Sequence, residues 1–180
     1  MAEPQAFQDI CAALGEREGC VIRPWKAEDA DALVAAWVDP EIARWNPVPA
    51  EPTTELAASW IAGTAKQTSL SSTVDAVLVR QDALDQLLGE VGLQIDRGQR
   101  LAEIGFWVAE PHRGSGYGQR LLDFGLSLAR GLSLRGAVAM VDPENTGAQT
   151  TLRSAGWSPI PATGSRLAFA AKSQREDVDG

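Results

Sequence analysis

Side chains that build metal centres and disulfide frameworks are scarce in this chain of 180 residues. It has one histidine and two cysteines, Cys11 and Cys20, which lack metal-ligand spacing and have no histidine beside them. No stretch approaches the roughly 20 apolar residues of a membrane-spanning helix, and the first ten residues lack the basic region of a signal peptide. These absences predict a protein without a metal ion, a disulfide or a membrane partner, and a reducing, cytoplasmic location.

Basic residues are outnumbered by acidic ones. Sixteen lysines and arginines stand against 24 aspartates and glutamates, which gives a formal net charge of -8, and no basic stripe interrupts this excess. Because nucleic acids bind basic surfaces, we expect no nucleic-acid partner. The acidic balance is compatible with a cationic substrate such as an amine. A hydrophobic content of 44% is that of an ordinary globular chain long enough to bury a core.

The hydrophobic pattern predicts a mixed α/β fold. Residues 1–19 are expected to form a helical extension, 20–173 a single domain and 174–180 a polar tail. Four prolines, at positions 40, 47, 49 and 52, predict a broken segment between two helices. We expect helices over 4–14, 27–38, 54–66 and 144–157 and from the glycine loop to about 130, and strands over 20–25, 72–80, 87–96, 100–109, 136–142 and 165–173.

The stretch "HRGSGYGQRLL", residues 112–122, places three glycines in five positions between an apolar run and an amphipathic helix. Such a junction leaves backbone N–H groups open to an anion, although a glycine cluster is also an ordinary turn. A P-loop would need Lys-Ser/Thr after its last glycine, where this chain has Gln119 and Arg120. The dinucleotide fingerprint would place its third glycine one residue after Gly118. A third pattern, Arg/Gln-x-x-Gly-x-Gly/Ala, is satisfied by residues 113–118 at every defined position.

That hexapeptide resembles motif A of the GNAT superfamily, the acetyl-CoA-dependent N-acetyltransferases. A second block, "VDPENTGAQTTLRSAGW", resembles the family's following strand and helix through Asn145, Ala148 and the pair Gly156 and Trp157. The stretches "DPEIARW" and "EIGFWVAEPHRGSGYG" are similar to the branch that acetylates N-terminal amines of ribosomal proteins. The resemblance covers about residues 20–172. It implies a GNAT fold, with a mixed central sheet splayed at the cofactor cleft and helices on both faces.

The resemblance also implies which residues bind acetyl-CoA, the expected co-substrate. In the family, the pantetheine arm lies between the strand of Trp107 and Val108 and the strand over 137–141, and the loop amides bind the diphosphate. Asn145 is in addition suited to cap the helix that follows it. The implied cofactor-binding residues are Trp107, Val108, Arg113, Gly114, Ser115, Gly116, Tyr117, Gly118 and Asn145.

The implied reaction is direct transfer of the acetyl group to a neutral primary amine. A carboxylate or a relayed water would take the amine proton, and a backbone N–H near Val108 would polarise the thioester carbonyl. The branch resemblance places an acid at Glu103, our candidate base, and the residue fits a solvent-facing strand position equally well. Because an α-amine is less basic than lysine, a peptide or protein N-terminus is the favoured acceptor. Trp37, Trp45 and Trp60 lie in the segment that walls the acceptor site in this family, where core packing also explains them.

The general acid that is usual in the family is missing. Many members place a tyrosine seven residues after the motif asparagine to protonate the leaving thiolate, and Leu152 occupies that position here. Three other functions therefore stay open: a catalytically silent acyl-CoA-binding or regulatory module on the same fold, a small-molecule amine acetyltransferase, and a nucleotide-binding protein that reuses the glycine turn. The resemblance also leaves a homodimer open.

Overall fold

The computed structural model describes residues 3–69 and 73–171. This part of the chain contains eight strands, which are β1 (Glu16–Arg17), β2 (Cys20–Pro24), β3 (Thr73–Arg80), β4 (Leu87–Asp96), β5 (Leu101–Val108), β6 (Gly136–Val141), β7 (Ser158–Ile160) and β8 (Leu167–Ala170). They form one sheet in the order β1-β2-β3-β4-β5-β6-β8-β7. The helices are α1 (Glu3–Leu14), α2 (Ala30–Trp37), α3 (Pro40–Trp45), α4 (Thr54–Ser69), α5 (Tyr117–Gly131) and α6 (Thr146–Ser154), with short 3-10 turns at Ala27–Asp29 and Glu110–His112.

The middle of the sheet separates along one strand pair. β5 and β6 are parallel, whereas the other neighbouring strands are antiparallel. β5 stays paired with β4 along its whole length, but it pairs with β6 only from Leu101 to Glu103, opposite Gly136 to Val138. Beyond Glu103 the two strands part, and β6 continues along β8. The second half of β5 therefore has one free edge inside the sheet.

Apolar side chains on the two faces of the sheet form two separate hydrophobic cores. One core joins α1, α5 and α6 to the sheet and includes Phe124 and Phe169, both almost fully buried. The second core joins α2 and α4 to the opposite face and includes Trp25, Trp37 and Val77. These two layers confirm the predicted mixed α/β fold with helices on both faces. No helix within 3–69 and 73–171 has both the length and the apolarity that crossing a membrane requires.

The longer predicted helices and strands are present, and the differences lie in short elements. The segment that contains four prolines was predicted to be broken. This is wrong for Pro40–Trp45, because these residues form the helix α3. Pro40 takes the first position of α3, where a proline needs no N–H partner, and Asp39 caps the helix by accepting from the Glu41 N–H at 2.9 Å. The strands β1 and β7 were not predicted, since two or three residues carry little periodicity. The predicted tail 174–180 and the last two positions of the strand expected over 165–173 lie outside the described residues.

Candidate active site

A cleft of about 930 Å³ opens where β5 and β6 part. Its walls come from the second half of β5, the end of β6, the start of α6 and the helix α3. The structure brings nearly all of the predicted site residues together in this cleft, and Ser115 alone among them does not line it. The lining members of that set are Glu103, Trp107, Val108, Arg113, Gly114, Gly116, Tyr117, Gly118 and Asn145.

The free edge of β5 turns main-chain polar groups into the cleft. The N–H of Ala109 donates to the carbonyl of Leu88 on β4 at 3.0 Å. Because main-chain groups alternate in direction along a strand, those of Phe106 and Val108 point away from β4 and towards the space that β6 has left. The Val108 carbonyl confirms this direction, since it accepts from Arg113 Nε at 3.1 Å. An extended ligand with amide groups could therefore pair with β5 like an added strand.

The glycine loop lies at the wide end of the cleft, with the backbone geometry that an anion-binding turn requires. Gly114 and Gly116 adopt φ values of +73° and +83°, in the left-handed region that favours glycine, and nothing lies within 4 Å of the position of a Cβ on either. In the described part of the chain, the N–H groups of Gly114, Ser115 and Gly116 make no hydrogen bond. The 15-residue helix α5 begins directly after them, so its dipole adds to the attraction for a negative charge.

Gly118 is small for a different reason. A Cβ on this residue would lie 2.8 Å from Cγ2 of Thr151 and 3.6 Å from the Phe106 ring. The third glycine of the motif therefore lets α5 approach α6 closely. Asn145 begins α6 as its cap, because its side-chain oxygen accepts from the N–H of Ala148 at 2.9 Å, as the sequence predicted.

Glu103 lies at the narrow end of the cleft and is the last residue of β5 that pairs with β6. Its carboxylate is partly exposed and pairs with Arg166 at 3.4 Å. Gly105 follows on the same face of the strand, and a Cβ there would meet nothing within 4 Å. The face of β5 between Glu103 and Trp107 is consequently open, with a carboxylate at one end and an indole at the other.

A buried carboxyl pair lies behind Trp107. Glu90, opposite Trp107 in the β4–β5 register, accepts from the Trp107 indole N–H with one oxygen and from Trp25 Nε1 with the other, at 3.1 Å. Burial, reinforced by the charge of Asp75, raises the pKa of Glu90 to about 8. Burial also raises the pKa of Asp75 to about 6. The Asp75 carboxylate lies over Gly92, where a Cβ would meet its Oδ1 at 2.7 Å.

Glu90 and Asp39 are the residues of the site region that sequence reasoning missed. Glu90 is the one charged residue in the apolar stretch "LLGEVGL", and an isolated acid in a central strand is a signal that could have been noticed. Asp39 was part of the quoted stretch "DPEIARW". Its buried carboxylate receives a hydrogen bond from Arg113 Nη2, so the Arg113 side chain contacts both Asp39 and Val108.

Other side chains singled out from the sequence lie in the hydrophobic cores or pack around the cleft. Leu152 is fully buried in the core and does not line the cleft. Tyr117 packs edge-on against His112 at 6.0 Å between ring centroids. Trp37 belongs to the second core, and Trp45 is the one member of the trio Trp37, Trp45 and Trp60 that lines the cleft. Among the described residues, no three His, Cys, Asp or Glu side chains come together as a metal site would require.

The chain is similar to known acetyltransferases over most of its length. A family model described as an acetyltransferase (GNAT) domain matches residues 20–158. An N-acetyltransferase named p20, from Bacillus licheniformis, is 30% identical over 135 residues, which are 72% of this chain and 73% of that protein. Among solved structures, RimJ of Mycobacterium smegmatis in complex with CoA disulfide matches with a TM-score of 0.72 at 23% identity, over 84% of this chain and 80% of that one. A ribosomal-protein-S5-alanine acetyltransferase from Vibrio fischeri matches with a TM-score of 0.74 at 16% identity, over 89% and 96% of the two chains.

The split sheet and the glycine loop at the start of α5 form a cleft whose shape and free N–H groups suit an extended, anionic ligand. The family match covers most of the chain, and the chain belongs to the GNAT acetyltransferases. It is an acetyl-CoA-dependent N-acetyltransferase, and acetyl-CoA is its co-substrate.

Proposed function

We propose that this N-acetyltransferase acts on the free N-terminus of a peptide or protein. The observation that carries the proposal is the open face of β5 between Glu103 and Trp107, which gives an amine access to the narrow end of the cleft. The helix α3 lines the cleft with the half-buried apolar side chain of Trp45. Several solved structures of the same fold are ribosomal-protein acetyltransferases by their names, which agrees with a protein acceptor.

The residues of the cleft fit acetyl-CoA. The free N–H groups of Gly114, Ser115 and Gly116 would hold the diphosphate, and the main-chain groups of Phe106 and Val108 would pair with the amides of the pantetheine arm. This arrangement directs the thioester along β5 towards Gly105 and Glu103. The N–H of Val108 or Phe106 would donate to the carbonyl oxygen that becomes negative during transfer.

Glu103 is the proton acceptor in this proposal. As the amine nitrogen bonds to the thioester carbonyl carbon, its proton passes to the Glu103 carboxylate, directly or through one water. The carbon–sulfur bond then breaks and the CoA thiolate leaves, taking a proton from a water molecule, while Glu103 returns its proton to the solvent and is regenerated as the base. Arg166 pairs with Glu103 at 3.4 Å and helps to orient this carboxylate.

The test measures release of the CoA thiol with a short peptide whose N-terminus is free and with the same peptide acetylated at its N-terminus. We predict turnover of the free peptide only. Glu103→Gln should lower this turnover by about 10²-fold or more, with little change in acetyl-CoA affinity. The loss should shrink as the pH rises, because the acceptor then loses its proton unaided.

Glu110→Gln provides the matched control, because Glu110 is an exposed acid of the neighbouring 3-10 turn outside the cleft. Its turnover should equal that of the unaltered protein. An unchanged pH–rate profile in Glu103→Gln would assign the proton transfer to another group. Tight CoA binding without transfer to any peptide would favour a small-molecule acceptor or a silent acyl-CoA-binding module.

A further inference from the structure

The side chain of Arg113 joins the diphosphate loop to the helix that walls the acceptor side of the cleft. Arg113 is the first residue of the loop pattern, and its Nε donates to the carbonyl of Val108, the last residue of β5, at 3.1 Å. Its Nη2 donates to Oδ2 of Asp39, the residue that caps α3. The Asp39 side chain is 8% exposed and that of Arg113 is 34% exposed, so water screens this ion pair only in part.

Asp39 uses its two oxygens for two different elements. Oδ1 accepts from the N–H of Glu41 at 2.9 Å and thereby fixes the start of α3, while Oδ2 holds Arg113. A six-residue helix is too short to be stable by itself, so its position depends on contacts of this kind. The next residue of the helix, Ile42, is buried, and Trp45 at its end faces the cleft.

A second ion pair attaches α3 to the opposite wall of the cleft. Arg44 pairs at 3.0 Å with Glu144, which lies between β6 and α6. Both side chains are largely exposed, at 57% and 76%, so this contact contributes little to the position of the helix. Both pairs involve α3 or its cap but differ in burial, so a variant of the exposed pair serves as a control for variants of the buried one.

We infer that Asp39 and the Arg113 side chain form a positioning pair that holds α3 in register with the diphosphate loop, and that the pair acts on acceptor binding. In this arrangement Arg113 contributes its main chain to the cofactor site and its guanidinium to the acceptor wall. The acceptor part of this inference rests on the proposed function. The part that concerns the position of α3 does not depend on it.

The experiment compares Asp39→Asn, Arg113→Gln and the control Glu144→Gln. Asparagine caps helices as well as aspartate does, so Asp39→Asn keeps the hydrogen bond to Glu41 and removes only the charge that holds Arg113. We expect the acceptor KM to rise about tenfold or more in Asp39→Asn and in Arg113→Gln, with kcat and the calorimetric Kd for CoA within about twofold. The double variant should raise the acceptor KM no further than Arg113→Gln alone does, because both changes remove the same interaction. Glu144→Gln should behave as the unaltered protein.

Hydrogen exchange gives a readout that needs no acceptor. The N–H groups of Ala43 and Asn46 are bonded within α3 and its cap, at 2.9 and 3.0 Å, and they should exchange faster in Asp39→Asn and Arg113→Gln while those of α6 do not. Unchanged exchange over 40–46 in both variants would overturn the inference. If the Arg113 guanidinium instead binds the diphosphate of CoA, the affinity for CoA should fall in Arg113→Gln. It should stay the same or rise in Asp39→Asn, because that change releases the arginine from its ion pair. This result would also overturn the inference. If no peptide is acetylated, the proposed acceptor is wrong, while the exchange data still decide whether the pair positions α3.

Discussion

Two carboxyl groups on one face of the sheet, Glu90 and Asp75, have raised pKa values that should make the stability of this protein depend on pH. Glu90 accepts hydrogen bonds from Trp25 and Trp107, so each of its oxygens already has an indole partner. These neutral donors do not offset the loss of water around a charge, and the pKa of Glu90 is consequently raised to about 8 from 4.5. Near neutral pH this buried group carries its proton in the folded protein.

The first prediction concerns Glu90→Gln. Between pH values of about 4.5 and 8 the folded state binds more protons at Glu90 than the unfolded state does, so the free energy of unfolding should fall as the pH rises. Glutamine cannot titrate, and Glu90→Gln should flatten this decline in urea titrations between about pH 5 and pH 8. The exposed variant Glu144→Gln should leave the decline intact. Equal slopes for Glu90→Gln and the unaltered protein would show that Glu90 titrates near its ordinary value.

The second prediction concerns Gly116, which combines a φ of +83° with open space where a Cβ would point. Gly116→Val should remove most of the affinity for CoA, since the side chain would occupy the diphosphate position and disfavour the required backbone. Gly156→Val is the matched control, because Gly156 has a φ of +81° and equally open surroundings but does not line the cleft. Both variants should lose about 1–2 kcal/mol of stability to backbone strain. Calorimetry should show weakened CoA binding only for Gly116→Val, and unchanged binding by that variant in folded form would refute the placement of the diphosphate.

At the scale of elements, the packing of α5 against α6 sets the shape of the cofactor end of the cleft. Gly118 on α5 approaches Thr151 on α6 so closely that a Cβ would lie 2.8 Å from the threonine methyl. That methyl belongs to a β-branched side chain whose hydroxyl is held by the carbonyl of Gly147 at 3.0 Å, so it cannot simply rotate away.

The third prediction follows from this contact. Gly118→Ala should cost about 1–3 kcal/mol of stability by overpacking, and it should also weaken CoA binding because α6 moves. Thr151→Ser removes the opposing methyl and keeps the hydroxyl, so the double variant should recover most of both losses. Thermal unfolding and calorimetry on the four proteins of this cycle measure the interaction. Additive losses in the double variant would mean that Gly118 is small for another reason.

Elements also show what the sequence could and could not predict. The helices α2, α4 and α5 were predicted because apolar residues recur at helical spacing along them. The helix α3 was not, because its six residues are stabilised by Asp39 and by contacts with distant parts of the chain rather than by periodicity. The cleft residues were predicted from the family motifs of the glycine loop and α6. The Glu90 pair was not, because only the β4–β5 register places it opposite Trp107.

At the scale of the whole molecule, charge and the shape of the cleft act together on the choice of acceptor. Three acids in the cleft lining, Glu41, Glu103 and Asp142, are balanced by three arginines, Arg44, Arg113 and Arg166, so the excess negative charge of -8 belongs to the molecule as a whole. A protonated peptide N-terminus is attracted to a molecule of this net charge before it loses its proton and reacts. Leu152 is buried in the core, so no side chain from that position can protonate the leaving thiolate.

The last prediction is that a peptide carrying both a free α-amine and an internal lysine is acetylated at its N-terminus. With pKa values of about 8 and 10.4, the neutral fraction of the α-amine exceeds that of lysine about 10²-fold at pH 7 and only about 20-fold at pH 9. Because the neutral fraction of each amine sets its rate of attack in the proposed mechanism, the N-terminal preference measured by mass spectrometry should be large at neutral pH and should narrow as the pH rises. The same peptide with a blocked N-terminus controls for lysine reactivity. Acetylation of lysine alone would refute the preference, and a ratio that does not change with pH would show that the shape of the acceptor wall, rather than the basicity of the amine, selects the substrate.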